Sequence, residues 1–270
     1  MHSFKYRSSL ASAVVGIVML VAAPAYSQTS VLSPADNIAG VDQATLSQQW
    51  WNWAAAYPLS GNPLLDTTGA LASLGDKGSY FFLAGAFTTD PVVRNVTLRN
   101  DQTLFFPLAN VVDGYTDQQI ADFGLTLSDI RTETTNFLGN ASGLFLKLDG
   151  SNLALPAGSA NLLAFRHPTG VFDLILPSDD NIFGGPANGA PAGTYRAFAD
   201  GYWVGLAPFK NGTYELHFGG GQERTGPLAG QSYSQDITYR VNVVPEPATV
   251  MMLLAGLGLA AGVALKRRAG

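Results

Sequence analysis

Apolar and polar residues follow two rhythms along this chain, and the changes of rhythm mark its elements. From Asp236 to Val243, Ile237, Tyr239, Val241 and Val243 alternate with Asp236, Thr238, Arg240 and Asn242. That is the period-two pattern of a strand with one buried and one wet face. Between Asp42 and Tyr57 the period lengthens. Leu46, Trp50, Trp53 and Tyr57 recur at spacings of four, three and four, which is one face of a helix. Asp42 or Thr45 can cap its start, and Pro58 lies just past its end. The pattern predicts a helix over about 43–57 that packs on a sheet.

The continuous apolar run Ser79–Gly85 reads as a buried central strand, whereas Val92–Leu98 alternates less cleanly. Thr103–Leu108 is a further strand in which Pro107 predicts an end, a bulge or an edge. Asp113–Gly139 breaks the β rhythm. Thr126 with Asp129 resembles a capping box, and Leu127, Ile130, Phe137 and Leu138 form a rough helical stripe, so a helical insertion is expected over about 117–139. Leu144–Leu148 runs into Asp149-Gly150, a hairpin turn, with Asn152–Leu155 pairing back. Asn161–Arg166, Val171–Leu176, Gly193–Arg196, Gly201–Leu206 and Gly212–Phe218 read as further strands around the long loop Ser178–Thr194. Many short strands with Gly, Pro and Asn turns predict a mainly β domain. The expected form is an antiparallel β-sandwich or jelly roll with one N-terminal helix and a short helical insertion.

Both ends depart from this pattern. Lys5 and Arg7 precede the apolar stretch Leu10–Ala23 and the small residues Ala23-Pro24-Ala25 and Ala25-Tyr26-Ser27. This order predicts a secretory signal peptide over 1–27, cleaved after Ala25 or Ser27. At the other end, Ala248–Leu265 carries no charge, and 18 helical residues span about 27 Å, close to the hydrocarbon thickness of a bilayer. A transmembrane helix is expected there, with Lys266, Arg267 and Arg268 as a cytoplasmic membrane stop and the bulk of the chain on the other side. Pro245, Glu246 and Pro247 stay extended and accessible ahead of it. The organisation read from the sequence is therefore signal peptide 1–27, secreted β-rich domain 28–244 and C-terminal segment 245–270.

Charge changes once the ends are set aside. Five of the 15 Lys and Arg and one of the 20 Asp and Glu lie in the terminal segments, which leaves 10 basic against 19 acidic residues. The body is near −9 rather than the −5 of the whole chain. That excludes nucleic acid as a natural partner and leaves divalent cations or a hydrated polysaccharide compatible. With no cysteine there are no disulfides, Cys-based metal sites or thiol nucleophiles.

Candidate chemistry is sparse, and no catalytic residue is assigned. His167 and His217 are the two histidines of the body that could serve a metal or a proton transfer, and neither His-Glu-x-x-His nor Gly-x-Ser-x-Gly occurs. Nineteen acids supply many pairs for glycoside hydrolysis and no means of choosing one. No cofactor is implied. Asp179, Asp180 and Asn181 are the candidate calcium ligands, since carboxylate and amide oxygens suit a hard cation. Their spacing is not that of an EF-hand, and a solvated acidic turn is the competing reading. Tyr202 and Trp203 could stack on a sugar face, although alternation places them on opposite sides of a strand.

The order Val244-Pro245-Glu246-Pro247-Ala248-Thr249, apolar run, Lys266-Arg267-Arg268 resembles a PEP-CTERM protein-sorting signal. The resemblance implies export by a Gram-negative bacterium that makes exopolysaccharide, and processing near Pro245–Pro247 by an exosortase, a membrane-embedded transpeptidase-like enzyme. Before processing the protein would be membrane-anchored, and afterwards on the cell surface or outside the cell. The body is also similar to a group of uncharacterised secreted bacterial proteins. The similar pieces are Trp50-Trp51-Asn52-Trp53, Asn62-Pro63-Leu64-Leu65-Asp66-Thr67-Thr68-Gly69, Phe82–Gly85, Leu104–Asn110, Asp200-Gly201-Tyr202-Trp203 and Leu216–Gly220. This similarity implies a β-rich secreted domain and nothing chemical. Two functions follow as expectations: a non-enzymatic surface or matrix protein associated with exopolysaccharide, or an extracellular carbohydrate-binding or carbohydrate-active protein.

Overall fold

In the computed structural model the described residues are 29–184 and 189–246. The expected signal peptide 1–27, the span 248–265 and the basic stop Lys266–Arg268 lie outside them. Among the described residues the fold is mainly β, with two sheets and three α-helices. Sheet 1 has the order β1-β3-β7-β6, from Tyr80–Phe82, Thr103–Tyr115, Gly193–Leu206 and Phe172–Leu176. Sheet 2 has the order β2-β9-β8-β4-β5, from Val92–Arg99, Ser232–Val244, Gly212–Glu223, Asn140–Leu148 and Ser151–Asn152. No helix among the described residues is long and apolar enough to cross a membrane.

Sheet 1 is buried on both faces along β3 and β7, while its edge strand β6 exposes Asp173 and Ile175. One face shares a core with sheet 2, in which Phe106, Val204 and Leu206 meet Leu216, Phe218, Ile237 and Val241. Phe106 and Phe218 come within 4.3 Å, ring centre to ring centre. The opposite face packs under α1, Gln43–Ala55, in a second core of Trp50, Trp53, Phe82, Phe105, Ala197 and Trp203. Burial on both faces explains why β3 and β7 read as continuous apolar runs. Sheet 2 covers a core with one face only, and burial alternates along β2 and β9 accordingly.

α1 is anchored by polar as well as apolar contacts. The Asp42 side chain caps it by accepting from Thr45 N at 2.9 Å. Trp50, 1% exposed, donates its indole N–H to Leu83 O at 2.9 Å and meets Trp51, Trp53 and Trp203 edge-on. Asn52, on the same helix, donates to Asp173 O at 3.0 Å and accepts from Ile175 N at 2.9 Å. A side-chain amide thereby occupies the open edge of β6, where an unpaired strand would otherwise invite a foreign one.

The helical insertion is α2, Asp117–Phe123, and α3, Leu127–Leu138, each opened by a capping box, Thr116 with Gln119 and Thr126 with Asp129. α3 buries Ile130, Thr134 and Leu138 against β3 and β7. Gly139, at φ +58°, turns the chain into β4, and a Cβ there would sit 1.9 Å from Glu223 O.

Several sequence expectations are corrected. Pairing is not antiparallel throughout: β1 runs parallel to β3 and β2 parallel to β9. β1 is an edge strand, not a central one, and its apolar run reflects two covered faces, with Phe81 in one core and Phe82 in the other. Of the alternatives at Pro107 the bulge holds: β3 does not end there but continues to Tyr115 past a register shift between Pro107 and Ala109. Gly193–Arg196 and Gly201–Leu206 are parts of one strand. Asn161–Arg166 is no strand: the Asn161 carboxamide accepts from Leu163 N at 2.9 Å and starts a 3₁₀ turn over Leu162–Phe165 that buries Phe165. The strand returning from the Asp149-Gly150 hairpin is Ser151–Asn152, and its pairing reaches Leu153, whose N donates to Leu146 O at 3.1 Å.

Candidate functional site

β9 lies between β2 and β8, and is paired to β8 as far as Val243 and to β2 as far as Val244. Val243 sits opposite Leu98 on one side and Gly212 on the other and is 3% exposed. Val244 is opposite Arg99, and its carbonyl accepts from Asn100 N at 2.9 Å. Pro245, which has no N–H to continue the ladder, is the first exposed residue beyond the strand. Glu246 follows beside the β2–β3 turn. Hydrogen bonding to the Asp101 carboxyl raises its pKa, with the Asp101 charge and slight burial adding to the effect and Arg99 opposing it. Pro247 and Lys266–Arg268 fall outside the described residues.

The outer face of sheet 2 adjoins this end. Asn95 and Thr97 of β2, Arg240 and Asn242 of β9, Thr213 and Glu215 of β8, and Asp149 of the β4–β5 turn line a concavity of about 610 Å³. All seven are exposed. Its wall on the β4 side is fixed by a reciprocal pair of bonds: Asp149 N donates to Glu215 O, and Glu215 N donates to Asp149 Oδ1, each at 2.8 Å. From β2 to β4 the face spans three strand spacings, about 14 Å. It presents amides, hydroxyls, two carboxylates and one guanidinium.

A second polar cluster lies where α3 crosses β3. Tyr115 donates its hydroxyl to Glu133 at 2.8 Å. Asp113 Oδ1 accepts from Gly114 N, while its Oδ2 is buried without a donor among the described residues. Burial, then the charge of Glu133, push the Asp113 carboxyl up to about 7, with the Gly114 N–H opposing and a hydrogen bond to Glu133 adding to the rise. Two carboxyls bond to each other only while one keeps its proton. Burial and then the bond to Glu133 likewise raise the Tyr115 hydroxyl.

The other sequence candidates have structural occupations. Asp179 Oδ1 accepts from Ala192 N at 2.6 Å, and the buried Asn181 carboxamide donates to Ser178 O and Ala190 O while accepting from Phe183 N. Asp180 is exposed. No group of three or more His, Asp or Glu among the described residues is placed to hold a metal ion. Tyr202 and Trp203 do lie on opposite sides of β7, but both are buried, at 5% and 0% exposure, one in each core. Neither offers a ring to a ligand. His217 Nε2 pairs with Asp236 Oδ1 at 2.7 Å, and burial lowers the pKa of His167.

Sequence reasoning missed three groups: the polar concavity, the Asp113–Glu133 pair and Arg94. Arg94 is 1% exposed in the core and donates to Asp66 O, Ala84 O, Gly85 O and the Tyr239 hydroxyl. Its side chain occupies an inward position of β2, which is why that strand alternates poorly in sequence. The short body motifs are likewise structural. Asp200 is held by Arg166 through two oxygens, and a Cβ on Gly201 would meet Asn110 Cβ at 2.7 Å and Ala109 O at 2.8 Å. Burial raises the Asp66 pKa, but the N–H groups of Thr68, Leu71 and Gly69 outweigh it and hold the carboxyl below its usual range.

A model of the PEP-CTERM protein-sorting motif matches residues 243–268. No curated protein matches the chain. Among solved structures the chain is similar to the solution structure of Amebosin, at 10% identity over 57% of this chain and 96% of that one, with a TM-score of 0.16. A likeness at that score carries no argument. The chain thus carries the sorting motif, and the motif begins inside the last two residues of β9.

Proposed function

We propose that this protein is a non-enzymatic component of the cell surface or extracellular matrix of a Gram-negative bacterium, delivered by its C-terminal signal and associated with exopolysaccharide. A PEP-CTERM signal marks an exported protein that is membrane-anchored until an exosortase processes it, and this chain carries one over residues 243–268. That motif is the observation on which the reading rests. Its anchor is the apolar stretch Ala248–Leu265, and its stop is Lys266–Arg268. The facing of two sheets across one core supports a sandwich of jelly-roll type as the delivered scaffold.

Two features favour a passive body over an enzyme. The raised carboxyl of Asp113 is spent on Glu133, and the candidate metal and stacking residues are committed to the loop and the cores. For polysaccharide, the exposed concavity supplies the vicinal donors and acceptors that ring hydroxyls can pair with, and it supports carbohydrate binding as the second reading. The test of delivery is fractionation with intact-mass analysis in strains with and without the exosortase. A shortened form outside the inner membrane, present only with the enzyme, is expected. A full-length C-terminus in both strains overturns the proposal.

A further inference from the structure

We infer that the fold itself sets the N-terminal limit of processing: the first peptide bond open to the enzyme is Pro245–Glu246, and the mature chain keeps Val243, Val244 and Pro245. This rests on the sorting reading above and adds the position of the cut.

Cleavage of a peptide bond makes two geometric demands. A nucleophile must reach the carbonyl carbon, and the carbonyl oxygen must be able to move out of the amide plane toward donors that the enzyme supplies as the carbon becomes tetrahedral. The C–N bond then breaks and the amine departs with the tail. In hydrolysis, water supplies OH to the carbonyl carbon and H to the leaving amine; in transpeptidation, an acceptor amine takes the place of water and gives up its proton. Neither course is open at Val243 or Val244. Val243 is 3% exposed, with its chain flanked by β2 and β8. The Val244 carbonyl, which belongs to the Val244–Pro245 bond, is engaged by Asn100 N at 2.9 Å. The pairing of Arg99 with Val244 holds that carbonyl against the β2–β3 turn.

Fraying does not rescue these bonds. An edge strand peels by breaking one ladder, but the end of β9 is held between β2 and β8 and carries a core valine. At Pro245 the constraint ends: the residue is exposed and makes no ladder bond. The enzyme therefore works with a folded sheet end directly on the N-terminal side of its substrate. It must read Pro-Glu-Pro and the segment beyond, because upstream there is no extended chain to grip.

Two measurements test this on the full-length protein in detergent and on the processed form from exosortase-containing cells. Intact mass of the processed form is expected to include Pro245; a product ending at Val244 or earlier overturns the inference. Independently of the exosortase, elastase, which cuts after small aliphatic residues, is expected to spare the Val243–Val244 bond in the folded chain. It should cut that bond at least about 100-fold faster in urea, with elastase activity in urea calibrated on a peptide spanning the bond. A prolyl endopeptidase should cut after Pro245 or Pro247 without urea. Equal elastase cutting of folded and unfolded chain overturns the inference. If neither strain processes the protein, the sorting reading fails while the protease comparison still decides accessibility.

Discussion

Replacing Asp113 by Asn tests the shared proton between β3 and α3. The Asp113 carboxyl moves from 3.8 to about 7 on folding, because burial and the neighbouring Glu133 both disfavour its charged form. A group whose folded value is raised stabilises the fold fully below its unfolded value, and that stability is lost as pH rises through the folded value. Between pH 5 and pH 7 this spans two pH units, or about 3 kcal/mol. Other titrating groups act differently. Burial holds His167 below its ordinary value, so its stabilisation is present above 6.5 and lost as pH falls. Hydrogen bonds to Thr45 lower Asp42, and bonds to Thr126 lower Asp129, so their contributions fade only in more acidic solution. Around the pair itself stand Glu133 and Tyr115, with Arg131 over the Phe198 ring at 4.6 Å and Arg196 bound to Asp173 at 2.7 Å. D113N keeps a donor for Glu133 and cannot ionise. Urea unfolding followed by tryptophan fluorescence is a suitable assay, since all four tryptophans are buried. Between pH 5 and pH 8 wild type should lose about 3 kcal/mol of stability relative to D113N, or roughly 6–10 °C in Tm. The same pH slope in both proteins would refute the shared proton.

Other outcomes follow from single contacts. Arg94→Met strips Asp66 O and Gly85 O of their donor inside the core and leaves Ala84 and the Tyr239 hydroxyl only their bonds to each other, and should cost about 4 kcal/mol with an unchanged urea m-value; a loss under 1 kcal/mol would show the guanidinium to be dispensable. Asn52→Ala frees the β6 edge, and is expected to cost about 1–2 kcal/mol and to promote concentration-dependent association, read by light scattering at 10-fold different concentrations. On the open face of sheet 2, the pair Arg240→Ala and Asn242→Ala should abolish retardation of the wild-type protein in affinity gels containing dextran or alginate, without changing Tm by more than about 1 °C. Absence of wild-type retardation in either gel would count against carbohydrate binding at that face.

Where the sequence was legible, one physical signal governed the outcome. β9 alternates because sheet 2 is wet on one face, and α1 shows its tryptophan stripe because it covers only one. The capping box at Thr126 was visible because it is local. Misreadings arose where a residue answers to distant partners. Nothing near β1 reveals that its apolar run comes from two covered faces at a sheet edge. Arg94 breaks the alternation of β2 because its partners lie at Asp66, Ala84, Gly85 and Tyr239. Asp113 looked like one acid among 19 until the topology set it against Glu133. The sorting signal was read well for the opposite reason: its parts are contiguous.

The parallel pairing of β2 with β9 has a consequence for the order of assembly. β2 comprises residues 92–99, and its neighbour arrives only with residues 232–244. β8 must hydrogen-bond to that same late strand, so sheet 2 stays split until the last part of the body has emerged. Contacts so distant along the chain form slowly, after a long loop has closed. During export, which proceeds from the N-terminus, the domain is completed by the strand that carries the first residues of the sorting signal. Closure of the barrier around Val243–Val244 and arrival of the tail at the membrane thus become successive events on one short stretch of chain. A slow-closing mutant would present its signal before its shield, and would be trimmed unevenly.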